Sequence, residues 1–359
     1  MVTQQIVPAE MTICSGQGNY TVDFYMTITE ALDALGTLIS PVVVIDAQVA
    51  ALYADQLASL TDRMPVLLLD ATEEEKTLTG VAKVITFLQQ NNGTRQTKLL
   101  AIGGGIIQDI AAFAAFIYYR GLSWEFMPTT LLAMSDSCIG AKCGVNFGQY
   151  KNQLGMFHAP SHVLICPAFI DTLSDRDLLS GYGEIIKLHI TGSAKLFHDL
   201  ASVITADGFR TRQLPRFIAQ SLAVKKAVIE VDEYDRGVRN TLNYGHTFGH
   251  ALEALTQHEV PHGIAVVWGM DLVNYLAFRM GRLPETVYGE IHDFFTRHFD
   301  YAISGPLSAE KLIACTKRDK KVQRGHLNLA LLEDYGKLTM TPVPFDDHLT
   351  TLVEEYLAL

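Results

Sequence analysis

Two imidazoles four residues apart, His246 and His250, lie in the run from Arg239 to Glu253, whose centre reads Gly-His-Thr-Phe-Gly-His. On a helix that spacing puts both rings on one face, one turn apart. Glu253 follows three residues later, and Pro261-His262 comes soon after. Proline is poorly tolerated inside a helix, so the chain is expected to turn at Pro261 and start a new helix at His262. His262 can then point back at the first two rings. Three histidines from two elements can bind a divalent transition metal through neutral imidazole nitrogens. A His-x-x-x-His pair in a helix is also commonly just two surface side chains. Thr247 stands where the zinc-protease motif has Glu, so that motif is excluded.

Other groups able to do chemistry accompany it. Gly103-Gly104-Gly105 leads into Ile-Ile-Gln-Asp109. Glycines there would let the backbone approach a pyrophosphate at a helix N-terminus. The run is neither Gly-x-Gly-x-x-Gly nor an ATP loop. Asp46 ends an earlier apolar run and could accept from a ribose hydroxyl, or simply cap a helix. From Arg120 to Asn152, hydroxyls, amides and the cations Arg120, Lys142 and Lys151 crowd a section with little helical amphipathicity. That composition suits a loop folded around an anion such as phosphate, and it also suits a solvated loop. Glu184 and Lys187 share one helix face; a surface ion pair would look the same, but Ile185, Ile186 and Leu188 suggest burial, and a buried Glu needs a partner, which a metal could be. Lys225 and Arg239, with Asp232, Glu233 and Asp235 between them, precede the histidines; the cations could grip an anionic substrate, and the same run also suits a solvated helix face. Arg318-Asp319-Lys320-Lys321 reads as a basic loop or as exposed charge.

The elements that must position these groups fall into two textures. Val42–Ile45, Val66–Leu69, Leu99–Ile102 and Val163–Ile165 are short apolar runs with helical patterns between several of them, for example Thr79–Gln90. Runs buried on both faces predict a mainly parallel sheet. A β pair, Met11–Cys14 with Thr21–Met26, is expected to join it. Beyond Cys166-Pro167, helical periodicities follow one another: Asp175–Ile190, Gln213–Glu230, Asn240–Ala254, Gly263–Met280 and Pro284–Phe299. One late strand is expected over His326–Leu332, with a turn at Tyr335-Gly336. The expected organisation is an α/β, Rossmann-like dinucleotide-binding domain over 1–168 and a mostly helical metal- and substrate-binding domain over 169–359. Between such domains a cleft for small ligands is expected.

The totals set limits. The 359 residues are 48% hydrophobic and 19% charged, enough for two cores. A formal net charge of −11 gives no footprint for nucleic acid or an anionic membrane. Cys14, Cys138, Cys143, Cys166 and Cys315 are odd in number with no Cys-x-x-Cys, and read as reduced thiols. No secretory pattern opens the chain, and the long apolar run Ile106–Tyr119 is too short to span a bilayer. A cytoplasmic location is expected.

Taken together these stretches resemble the sugar phosphate cyclases, the 3-dehydroquinate synthases most of all. The resemblance rests on the glycine run to Asp109, Tyr-x-Arg-Gly at Arg120, Pro-Thr-Thr at 128–130, and Asp136 through Lys142. It continues through Val-Asn at 145–146, Lys151-Asn152, Glu184-x-x-Lys187, Lys225, Asp232-Glu233, Arg239, Asn243, Gly-His-Thr-Phe-Gly-His, His262 and Asp-Lys-Lys at 319–321. It implies a homodimer with tightly held NAD and a divalent metal, zinc or cobalt. Glu184, His246 and His262 would be the metal ligands, which moves His250 off the metal and towards the phosphate. Arg120, Lys142, Asn152, Asn243 and His250 would surround that phosphate, Arg120 reaching in from the partner subunit. Lys225 and Arg239 would hold a carboxylate, Asp136 and Lys187 would line the reacting carbons, and Asp235 would belong to the catalytic set. Asp46, Glu73, Lys76, Gly103, Gly104, Gly105, Asp109, Thr129 and Thr130, with Lys142 and Lys151, would hold NAD. Glu73 and Lys76 rest on the looser match Glu-x-x-Lys-Thr. The implied reaction takes a heptulosonate 7-phosphate (DAHP) to 3-dehydroquinate in the shikimate pathway. It runs through transient oxidation by NAD, phosphate elimination, re-reduction, ring opening and an intramolecular aldol, with the leaving phosphate itself removing a proton.

Some positions depart from the pattern. Asp235 replaces a usual Glu, Ile264 follows His262-Gly263 where Glu is usual, and Gly140-Ala141-Lys142 replaces Gly-Gly-Lys. Val145-Asn146-Phe147 and Phe157-His158-Ala159-Pro160 look more like the valiolone-type cyclases acting on sedoheptulose 7-phosphate. Those enzymes tend to lose the second histidine and the arginine, and deoxy-inosose synthases lack the arginine. His250 and Arg239 are both present here, which favours a carboxylated substrate. Iron-type polyol dehydrogenases share the two-domain plan and a glycine run but need no phosphate cluster. A degenerate, purely regulatory binder would have lost a ligand or Lys187, and neither is lost.

Overall fold

The computed structural model describes residues 10–35, 41–148, 150–299, 303, 307–317, 322–323 and 326–359. Arg318, Asp319, Lys320 and Lys321 lie outside the described residues. The chain packs as two units, Met1–Ser174 with Leu214–Tyr234, and Asp175–Gln213 with Asp235–Leu359. A single cut after residue 168 therefore misplaces one segment: Leu214–Tyr234 packs with the first unit.

In chain order the strands of the first unit are β1 Glu10–Ile13, β2 Tyr20–Phe24, β3 Val42–Asp46, β4 Val66–Leu69, β5 Leu99–Gly103, β6 Trp124–Pro128, β7 Lys142–Phe147, β8 Tyr150–Phe157 and β9 His162–Ile165. Its first helices are α1 Ile28–Ala34, α2 Ala47–Leu52, α3 Ala54–Thr61, α4 Leu78–Gln90 and α5 Gly105–Ile117. Next along the chain come α6 Asp175–Gly192 and α7 Ala194–Asp207 of the second unit, then α8 Leu214–Ile229, which belongs to the first.

Seven strands form one sheet in the order β1-β2-β9-β6-β5-β3-β4, parallel except for β1. The four expected strands are present within a residue at each end. β3 and β5 are apolar runs buried throughout Val42–Ile45 and Leu99–Gly103, as strands covered on both faces must be. Between β5 and β9 lies β6, which the pattern did not announce. Its Trp-Glu-Phe-Met-Pro is interrupted by a buried charge, Glu125, which Lys98 pairs at 3.0 Å. From β3 the chain builds outward to β4, then returns to the other side of β3 with β5 and builds through β6 to β9. The order therefore reverses between β3 and β5, where open α/β sheets bind ligands at the carboxyl ends of their strands.

The second unit continues with α9 His246–Leu255, α10 His262–Arg279, α11 Glu285–His298, α12 Ala309–Thr316, a three-stranded antiparallel sheet, and α13 Asp347–Leu357. The sheet is β10 Val322–Gln323, β11 His326–Asp334 and β12 Lys337–Pro344. The helix expected over Asn240–Ala254 begins only at His246. A 3-10 turn, Val238–Asn243, comes first, and Gly245 adopts a left-handed φ of 78° that breaks the pattern. Every residue of α10 from Gly263 to Ala277 except Trp268 is buried, so this helix is the axis of the unit.

Three helices approach closely because glycines face each other. A Cβ on Gly183 of α6 would lie 2.1 Å from the Gly263 carbonyl oxygen of α10. A Cβ on Gly269 would lie 2.0 Å from that of Gly245, just before α9. The same approach lets Ser180 Oγ accept the Gly263 N–H at 3.0 Å, which satisfies one orphan donor of the first turn of α10. Among the described residues no helix is long and apolar enough to cross a membrane.

Candidate active site

Each of three side chains is next in sequence to one of those glycines: Glu184 to Gly183, His262 to Gly263, and His246 to Gly245. The helix contacts bring them together. Glu184 Oε1 is 3.6 Å from His246 Nε2 and 3.2 Å from His262 Nε2. Donors about 2.1 Å from one tetrahedral ion lie about 3.4 Å from each other, so this spacing fits a divalent metal. The tautomers fit too. His246 Nδ1 faces the Tyr244 carbonyl at 3.1 Å and His262 Nδ1 faces Glu253 Oε2 at 3.1 Å, leaving both Nε2 atoms towards Glu184. Tyr244 is itself fixed, its hydroxyl donating to Asn274 Oδ1 at 2.7 Å. Glu253 was singled out only by its spacing; its contact with His262 was not foreseen.

His250 stands at the exposed rim of the same cluster. A ligand atom from each of His246, His250 and His262 lies within 4.8 Å of the others. Its ring meets His246 edge-on at 5.4 Å and stacks on His262 at 5.6 Å. Glu184 and Lys187 are buried, 2% and 3% exposed, and ion-paired to each other across one helical turn. Burial pushes the His262 pKa down, but its hydrogen bonds to Glu184 and Glu253 outweigh that and raise it to about 10. Arg239 is 3% exposed on the 3-10 turn, and Asn243 closes that turn by donating to the Asn240 carbonyl at 3.1 Å. Asp235 opens this stretch with a left-handed φ of 58°.

In the first unit, Gly103 ends β5, Gly104 caps α5 and Gly105 begins it. A Cβ on Gly104 would come within 2.8 Å of Thr130, and the Thr129 N–H donates to the Gly103 carbonyl at 2.9 Å. Asp46 lies beside this turn at the end of β3, since Ile45 pairs with Ile102. Its carboxylate caps α2, accepting the Gln48 N–H at 2.9 Å, and burial raises its pKa. Asp109, about one turn into α5, pairs with Lys76 at 2.5 Å and accepts the Gly144 N–H at 3.2 Å. Burial raises its pKa although Lys76 opposes the shift.

The section read as an anion-binding loop holds strand β6, a π-helical turn and the start of an antiparallel hairpin, β7 with β8. Its polar residues form a network there. Asn146 donates to Glu73 Oε1 at 2.8 Å and accepts the Asn152 N–H at 2.9 Å, and Lys151 lies 3.7 Å from Glu73. Lys142, Lys151 and Asn152 are exposed on the hairpin, and Arg120 is exposed beyond the end of α5 with φ 67°. Ala141 sits at φ 60°, a conformation that costs an alanine about 1–2 kcal/mol. Lys225 of α8 reaches a π-helical turn, Ala133–Ser137, and pairs there with the Asp136 carboxylate and, at 2.7 Å, its carbonyl. Single π turns of this kind are frequent at functional sites. All five cysteines are free, and burial pushes the Cys138 thiol up to about 12.

Comparison with known proteins now decides the family. The profile of the 3-dehydroquinate synthase N-terminal family matches residues 66–180, and that of its C-terminal family matches residues 181–322. The 3-dehydroquinate synthase of Streptococcus pneumoniae is 36% identical over 321 residues, covering 87% of this chain and 90% of that one. That of Dictyoglomus thermophilum is 37% identical over 271 residues, 74% and 75% of the two chains. The chain belongs to the 3-dehydroquinate synthase family. It is a sugar phosphate cyclase, a carbon–oxygen lyase that eliminates phosphate. Among solved structures, the 2-epi-5-epi-valiolone synthase of Streptomyces hygroscopicus subsp. jinggangensis, with NAD+ and Zn2+ bound, superposes with a TM-score of 0.85 at 28% identity, covering 96% and 98% of the chains. A 2-deoxy-scyllo-inosose synthase reaches 0.85 at 24% identity over 97% and 99%, a likeness of fold. An iron-containing alcohol dehydrogenase, at 0.64 and 17% over 95% and 98%, shares the fold alone.

Proposed function

We propose that this enzyme converts a heptulosonate 7-phosphate (DAHP) to 3-dehydroquinate, with NAD and a divalent metal as resident cofactors, in the shikimate pathway. The observation that carries the choice of substrate is Arg239, a guanidinium buried on the turn that leads into the histidine helix. A planar, permanently charged fork so placed suits a carboxylate, which sedoheptulose 7-phosphate lacks.

Glu184, His246 and His262 hold the metal in this reading, and Asp46, Gly103–Gly105, Asp109, Thr129 and Thr130 hold NAD at the reversal of the sheet. Glu73, Lys76 and Lys151 support the same side. When bound, NAD supplies reversible hydride transfer and the metal polarises the oxygen being oxidised. Arg120, Lys142, Asn152, Asn243 and His250 hold the leaving phosphate. Lys225 and Arg239 orient the carboxylate, while Asp136, Lys187 and Asp235 serve the reacting carbons. Lys225 already pairs with Asp136, so a substrate anion would share that cation. A homodimer is part of the proposal, supported by Phe116, Ile117 and Tyr119, exposed beside Arg120. A cytoplasmic location goes with it.

The second reading is a valiolone-type cyclase, favoured by Val145-Asn146-Phe147 and by the structural likeness to valiolone synthase. Offering both sugar phosphates to the zinc-loaded protein, and identifying the carbocycle formed, separates the two. Arg239→Ala is expected to lower kcat/KM for DAHP by about 100-fold or more, as loss of a buried charged contact does. If DAHP is not turned over while sedoheptulose 7-phosphate is, the carboxylate reading is wrong.

A further inference from the structure

On α9, His246, His250 and Glu253 are spaced i, i+4 and i+7, a single stripe along one face. The third member of the stripe turns to His262, its Oε2 3.1 Å from Nδ1 of that ring. The Glu253 side chain is 12% exposed. Its other oxygen lies 4.0 Å from His258 Nδ1. The loop between α9 and α10 is fastened at the same residue: the His258 N–H donates to the Glu253 carbonyl at 2.8 Å, across two left-handed residues, Gln257 at φ 51° and His258 at φ 64°. At its far end the Arg176 guanidinium donates to the Glu259 carbonyl.

An imidazole can present either nitrogen, and a ring at the start of a helix can rotate. His246 is fixed by a backbone carbonyl, that of Tyr244. His262 has no such carbonyl in this role; a carboxylate seven residues beyond His246 stands in for it. A carboxylate accepting the Nδ1–H fixes the tautomer, sets the ring plane and makes Nε2 a more basic donor. We propose that Glu253 is a positioning residue of the metal centre, holding His262 so that Nε2 faces Glu184 and setting how tightly a divalent ion is kept. The proposal rests on Glu184, His246 and His262 being the ligands.

The test uses the full chain, stripped of metal and titrated with zinc alone against a chromogenic chelator, in wild type and in Glu253→Gln, Glu253→Ala and His258→Ala. Wild type is expected to bind one zinc. Glu253→Ala is expected to bind about 10–100-fold more weakly. Glu253→Gln, whose amide oxygen still accepts from Nδ1, should fall between, and its near-identical shape keeps the fold. His258→Ala, which removes the 4.0 Å ring contact to Glu253 Oε1 and keeps the backbone hydrogen bond of the loop, should match wild type. Imidazole 15N shifts of the zinc-loaded protein should report a single His262 tautomer in wild type and a mixture in Glu253→Ala. Zinc binding unchanged in both Glu253 variants overturns the proposal, as does an equal loss in His258→Ala, which would make Glu253 a loop fastener. A wild type that binds no zinc removes the ligand assignment itself, a separate failure.

Discussion

Imidazole geometry decides what His246 and His262 can be asked to do. His262 contacts Glu184 through one nitrogen and Glu253 through the other, so its removal takes away one donor and leaves two carboxylates facing a gap. His262→Ala is expected to abolish zinc retention and turnover while far-UV circular dichroism stays that of wild type, because His262 lies at the start of α10 rather than in its buried body. Stoichiometric zinc in the purified variant would refute its role as a ligand. At this scale much was legible. Residue types and spacing named His246, His250 and His262, the family resemblance put Glu184 in the place of His250, and the i+7 position of Glu253 was visible as well. What spacing could not tell was which nitrogen of each ring turns to Glu184, since that depends on a Tyr244 carbonyl and a Glu253 carboxylate placed by folding.

Elements set the distances. The α6–α10 contact leaves no room for a side chain at Gly263: a Cβ there would lie 1.7 Å from the Ser180 carbonyl oxygen, and backbone cannot yield as a rotamer can. Gly263→Ala is expected to push the helices apart, cost about 3 kcal/mol or more in chemical denaturation, and weaken zinc binding although no ligand is changed. Wild-type zinc affinity in this variant would mean that the site tolerates the shift. Strands β3, β4, β5 and β9 were readable as apolar runs because each is continuous. β6 was not, because Glu125 and the terminal Pro128 interrupt it, and only the pairing with β5 and β9 makes it a central strand. The β7–β8 hairpin was hidden for a related reason: β8 is mostly exposed and polar, and Asn146 bonds Glu73 and Asn152, so composition imitated a loop. The start of α9 was misjudged because helical periodicity runs through Gly245, where the backbone does not.

At the scale of the whole molecule, pH couples to stability through a carboxylate shared by three helices. Asp271 of α10 accepts from His292 of α11 at 2.9 Å and from the Tyr356 hydroxyl of α13 at 2.8 Å. The hydrogen bond to Asp271 raises the His292 pKa, against burial. A raised folded-state pKa contributes stability that is complete below the unfolded value of 6.5 and is lost as pH rises through the folded value. His292→Asn should therefore destabilise by about 1 kcal/mol more at about pH 5.5 than at about pH 9, the partial exposure of the ring limiting the effect. Thermal melts of both proteins at the two pH values check this; a difference independent of pH would sink it.

By itself the sequence determined the parallel α/β texture, the later run of helices, the glycine turn and the family. Those depend on local pattern and on residue identity, which a linear string carries in full. Tertiary structure alone decided that Leu214–Tyr234 belongs with the first unit, that the sheet reverses beside Asp46 and Gly103, and that Glu184 reaches two histidines more than sixty residues away. These rest on α8 meeting the Ala133–Ser137 turn, on strand order and on backbones meeting at glycine contacts, and none is written in the spacing of any one segment.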